Sequence, residues 1–233
     1  MLLQQFRIGF GTESPGALIR ALRDYLVGTG RQRSIRDCDG LATFIAARSS
    51  HVAQTSLYGY LRTRAGTMYP ELFSNDDFMV SINIAKWQVW LACLSDLSVY
   101  CGGMLARRSP ATEQNRVHAI VAYAVGTALA EAGEPQEAGA AFPENAAAVR
   151  TRIDSVDWKA VEDGESHFTC SPEALVTWAP IVEGLKELDR DIVVNSVRFR
   201  WQEVRRDVRR LLDADAVIAS GPAEAPGPVQ PDR

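Results

Sequence analysis

Residues 76–103 read DDFMVSINIAKWQVWLACLSDLSVYCGG, and the placing of charge within them decides the fold. After the acidic pair at the start, the only charges are Lys86 and Asp96, and apolar residues fall on nearly every face of the helix this stretch would form. A helix that is hydrophobic all round belongs in the middle of a protein or in a membrane. Here the charges interrupt the run short of the roughly 18 uncharged residues that a spanning helix needs. The stretch therefore predicts the central helix of an all-α domain, wrapped by other helices, with no transmembrane segment. Trp87 and Trp90 are expected to be buried in that centre, where aromatic side chains contribute large apolar area.

Working outward, Ser74-Asn75-Asp76 offers a side chain to cap the central helix, which is expected to end at Gly102-Gly103. Before it, a helix from about residue 40 to 65 closes at Gly66, in the position favoured for a left-handed cap. Ser14-Pro15 opens an earlier helix, to about residue 27, with Leu18, Leu22, Tyr25 and Leu26 at helical spacing. Beyond the central helix, Ser109-Pro110 starts a helix to about 132, and residues 133–143 read as a mobile connector. Short helices follow at about 144–154 and 157–161. Ser171-Pro172-Glu173 starts another, with the Ser171 hydroxyl as cap. Pro180 breaks that pattern, and a last helix runs to about 212. The expected fold is all-α: a single globular helical bundle of about six or seven helices over residues 1–215. A Pro/Gly/Ala-rich tail without apolar periodicity, residues 216–233, is expected to be disordered.

Among 233 residues the net charge is -4, unevenly spread. Residues 1–65 carry +5, 66–188 carry -9, 189–212 carry +3 and the remainder -3. Such segments either pair within the fold or mark a partner surface. Cys38, Cys93, Cys101 and Cys170 show no CxxC spacing. Cys93 and Cys101 lie about 12 Å apart along one helix, beyond disulfide reach. This usage suits a reducing compartment, and the N-terminus lacks the basic and apolar regions of a secretory signal, so the expected location is cytoplasmic.

Three constellations are candidate sites. His51, Thr55, Tyr58 and Arg62 share one face of the 40–65 helix, either lining a small pocket or forming a solvated stripe. Asp96 and Lys86, about 15 Å apart along the central helix, each need a partner of their own. Asp96 is expected to pair with Arg62 or Arg64. On the last helix Ile192, Val197, Trp201, Val204, Val208 and Leu211 form an apolar side, and Arg198, Arg205 and Arg209 align on another. That arginine stripe is either a contact surface or ordinary helix-surface charge, and interleaved Asp191, Glu203 and Asp207 argue against nucleic acid.

Catalytic signals are thin. No G-x-S-x-G elbow occurs, and the nearest string is Gly164-Glu165-Ser166-His167-Phe168, which leaves Ser166 and His167 as weak nucleophile and base candidates. Gly9-Phe10-Gly11 misses the third glycine of a dinucleotide fingerprint. The histidines at 51, 118 and 167 lack metal-ligand spacing, so neither a metal nor a cofactor is implied. The segments LYGYLRTRAGTMYPELF (57–73), SPEALVTWAPI (171–181) and NSVRFRWQEVR (195–205) resemble a group of short bacterial helical proteins that carry the label "esterase". The resemblance spans most of the chain outside the connector and tail. It implies a carboxylic ester hydrolase and brings no catalytic residues with it. From the residues themselves the favoured reading is a non-enzymatic adaptor or assembly factor whose partner is another protein.

Overall fold

In the computed structural model, residues 34–110 and 113–222 are described, and the expected helix at 15–27 and the segment 223–233 lie outside them. The helices are α1 (Cys38–Ala65), α2 (Asp76–Ala106), α3 (Gln114–Ala132), α4 (Phe142–Ser155), α5 (Cys170–Trp178), α6 (Glu183–Leu211) and α7 (Ala214–Ser220). A single helical turn, Tyr69–Leu72, lies between the first two. No strand occurs among the described residues; one parallel bridge joins Ile35 to Leu212 and ties the start of the described chain to the end of α6.

Helix α2 is the centre. Every residue from Ala85 to Gly103 except Ala92 is buried, and its most apolar stretch is 89% buried inside the fold. Length and composition would let α2 cross a membrane. Instead α1, α3, α4, α5 and the turns around 136–138 and 158–160 pack on its successive faces. Trp87 and Trp90 are fully enclosed and meet edge to face at 5.6 Å, with Phe142 of α4 edge-on to Trp87 at 5.9 Å. As expected, Asn75 caps α2, its Oδ1 accepting from the Phe78 amide at 2.9 Å, and Gly66 closes α1 with φ of 53°.

Lys86 is buried on this helix with its ammonium 5.2 Å above the Trp87 ring. Burial lowers its pKa to about 8, against the opposing pull of Glu137. Desolvation disfavours the charged form of a buried lysine more than one carboxylate at a distance favours it.

Several boundaries differ from the sequence reading, each for a visible reason. Helix α2 continues through Gly102-Gly103 to Ala106, because the glycines admit other groups rather than end the helix. A Cβ on Gly102 would lie 2.2 Å from the Trp158 ring, and one on Gly103 2.2 Å from the Val161 side chain. Ser109 closes α2, its Oγ donating to the Leu105 carbonyl at 3.2 Å, and α3 begins only at Gln114. The 133–143 connector is packed: Ala138 is fully buried, and its carbonyl accepts from Gln88 Nε2 at 3.0 Å. Gln88 Oε1 in turn accepts from Asn145 of α4 at 2.6 Å. The boundary drawn at 215 falls inside α7, whose Val217 and Ile218 are buried, so residues 216–220 belong to the helical domain.

Placing a methyl at Gly103 must push Val161 out of its seat. Gly103→Ala is expected to destabilise by about 1–3 kcal/mol, as overpacking does, although alanine is the better helix former. Chemical denaturation measures this; a Gly103→Ala protein as stable as the parent would show that the 158–161 turn does not rest on α2.

Candidate functional site

The buried charge at the centre of α2 finds a partner, but not the expected one. Asp96 is fully enclosed. Its Oδ1 accepts from Arg152 Nη1 of α4 at 2.7 Å and from the Cys170 amide at 3.2 Å. Oδ2 accepts from the Ser171 amide at 2.8 Å and the Ser171 hydroxyl at 2.7 Å. The carboxylate thus sits on the N-terminus of α5 and caps it from a different helix, a position that suits negative charge. This explains why Thr169 makes no side-chain cap and why the Ser171 hydroxyl turns away from its own helix. Trp201 Nε1 of α6 donates to Ser171 Oγ at 2.9 Å, and Arg152 also reaches Ser95 Oγ at 3.0 Å and the His167 carbonyl at 2.8 Å. One carboxylate thereby joins α2, α4, α5, α6 and the loop before α5.

Arg62, by contrast, is exposed, and Arg64 pairs with Asp189 of α6, which also accepts from the Tyr60 hydroxyl at 3.0 Å. The hydrogen bonds from Arg64 hold the Asp189 carboxyl below its ordinary range. Burial first, and then the bond to Asp189, pushes the Tyr60 phenol up to about 12. With Arg48 on Asp207 at 2.6 Å, these contacts fasten α6 to α1 near both ends of α6.

His51, Thr55 and Tyr58 of the α1 stripe lie between those contacts along the helix. His51 and Tyr58 are half-buried, and Thr55 turns its Oγ1 back to the His51 carbonyl at 2.7 Å. Burial lowers the His51 pKa, Arg48 and Arg200 push the same way, and Glu203 opposes. Burial likewise raises the Tyr58 phenol far above its ordinary value. Burial thus disfavours both the imidazolium of His51 and the phenolate of Tyr58.

Ser166 and His167 are not brought together as a nucleophile and its base. Ser166 is exposed, and His167 Nε2 accepts from the Glu162 amide at 3.2 Å. Burial raises the pKa of all four cysteine thiols. Raised thiols in apolar surroundings are poor nucleophiles. No group of three or more His, Cys, Asp or Glu side chains able to hold a metal occurs among the described residues.

The arginines of α6 divide. Arg209 donates to Asp163 at 3.0 Å, and Asp163 also accepts from the buried Tyr100 hydroxyl at 2.6 Å, which anchors the loop before α5 to both helices. Arg205 is half-buried, and Arg198 is exposed. Of the expected apolar side of α6, Val197, Trp201, Val204, Val208 and Leu211 are buried, while Ile192 is 72% exposed and Val193 takes its place in the core. Leu188 and Phe199 share that exposure at 77% and 70%, and Leu185 at 39%. At intervals of three, four and seven residues they form a second apolar edge on α6, opposite the one that meets the core. Sequence reasoning missed this edge, together with Arg152, Asp163, Asp189 and Asp207 as partners.

Comparison with protein-family models, curated proteins and solved structures gives no match.

Removing the Asp96 carboxylate leaves Arg152 without its counter-charge and the α5 amides without their acceptor. Asp96→Ala is expected to lower stability by about 3–5 kcal/mol, the usual result of breaking a buried pair from one side. A double-mutant cycle with Arg152→Ala should then be strongly non-additive. Thermal or urea unfolding reads both; a loss within about 0.5 kcal/mol, typical of a surface substitution, would contradict the burial of Asp96.

Proposed function

We propose that this chain is a non-enzymatic helical protein that works by associating with another protein chain, with the outer edge of α6 as its contact surface. The observation that carries the reading is the row of Leu185, Leu188, Ile192 and Phe199, exposed together on a helix whose opposite edge already fills its core contacts. Single exposed apolar residues are ordinary, but contiguous ones mark interaction sites. A helix edge of this kind accepts another helix with apolar residues at matching spacing and charge at its flanks. Four thiols without disulfides fit a reducing compartment for that work.

The chemistry near the centre supports the same reading. Asp96, Arg152 and Ser171 spend their hydrogen bonds on one another, on the backbone and on the side chains of Ser95 and Trp201. Their arrangement stabilises the fold and leaves no activated nucleophile among them.

The tagged chain and an Ile192→Glu/Phe199→Glu variant, used side by side as bait in extract of the native host, test the proposal. The expected result is a chain retained by the parent and lost by the variant, with both proteins melting alike because the substituted residues face water. A panel of carboxylic esters run on the same preparations should show no turnover. Ester hydrolysis abolished by Ser166→Ala would overturn the proposal in favour of a hydrolase, and capture unaffected by the α6 changes would remove its contact surface.

A further inference from the structure

We infer that the chain bound on α6 is a second copy of this protein, packed antiparallel along the same helix about a two-fold axis. This rests on the reading of the α6 edge as a protein contact. Leu185, Leu188, Ile192 and Phe199, with Asn195 and Gln202 completing the row, follow the alternating three- and four-residue spacing of a two-helix seam. The row is balanced about its own middle. An antiparallel copy brings Leu188 opposite Phe199 of the second copy and Ile192 opposite Asn195, each contact occurring twice by symmetry. One polar residue near the centre of such a seam fixes its register.

Charge selects the antiparallel arrangement. Residues 183–196 carry four acids and two bases, and residues 197–211 carry six arginines and two acids. A parallel pair would set acid on acid and arginine on arginine, whereas the antiparallel pair sets each half on its complement. At the flank of the row stand Asp191 and Arg198, seven residues apart and both exposed. Neither forms an ion pair with another described residue. The two-fold brings Asp191 beside Arg198 of the second copy on both sides of the axis. The row from 185 to 199 is about 21 Å long. A single helix pair of that length falls at the small end of interface sizes, so the dimer should form in the micromolar range rather than be permanent.

Sedimentation velocity on the full chain, from about one to several hundred micromolar, tests the inference. The parent is expected to shift from monomer to dimer with concentration, and Ile192→Glu to remain a monomer. Asp191→Arg and Arg198→Asp should each weaken self-association by about tenfold or more at low salt. An equimolar mixture of those two variants should recover it, because the mixed pair restores both opposite-charge contacts. A parent that is monomeric at every concentration overturns the inference, as does a dimer indifferent to these substitutions. If the parent is monomeric while Ile192→Glu/Phe199→Glu still abolishes capture of a different protein, the α6 contact surface stands and only its occupant changes. If capture also survives, the contact surface itself falls.

Discussion

Past its first turns, helix α2 has no face that water can be left to cover, and that single constraint places the rest of the fold. From Ala85 to Gly103 only Ala92 escapes full burial, so helices must cover every side of it at once. Around a buried helix each neighbour contributes one apolar face, and its other face is free to be polar. The one exposed apolar edge described above belongs to α6, at the rim of the assembly and not at its centre. The glycines at 102 and 103 show how closely the wrapping is drawn, since they seat Trp158 and Val161 against the helix axis itself.

Putting a carboxylate inside such a helix demands full compensation, because an uncompensated buried charge is far costlier than any packing defect. Asp96 meets the demand with an arginine from α4 and donors from the start of α5. The consequence is architectural. A nine-residue helix is too short to be stable by propensity alone. Here α5 gains an anion at its N-terminus, and the Ser171 hydroxyl relays the connection to Trp201 of α6. The short loop before α5 is held from its other side by the Tyr100–Asp163–Arg209 contacts. Catalytic-looking residues gathered at a helix N-terminus are in this case a joint between four helices.

The pattern of apolar residues made the helices, their order and the central position of α2 legible in the sequence. So did the caps at Asn75 and Gly66, since each depends on a residue's local chemistry. Partner choice was not legible, because it depends on how helices cross. Arg62 and Arg64 are as close to Asp96 in pattern as Arg152, yet only Arg152 sits beside Val149 and Ile153 on the buried side of α4 and so points inward. The run Ile192-Val193-Val194 likewise offers three consecutive apolar residues, and only packing decides that Val193 is the one enclosed. That one-residue ambiguity hid the exposed edge of α6 on which the functional reading stands. The 3-10 turn at 158–160 left its mark as glycines on another helix, a signal that reads equally well as a helix stop.

Native-state hydrogen exchange across α2 tests the central claim most directly, since a helix enclosed on all sides can exchange only when its wrapping comes off. The amides of residues 86–103 should be the slowest in the chain. Their opening free energy should equal that of global unfolding and fall with denaturant along the same slope. Exchange of those amides through smaller openings, at rates similar to the rim of α6 or to α7, would contradict the account.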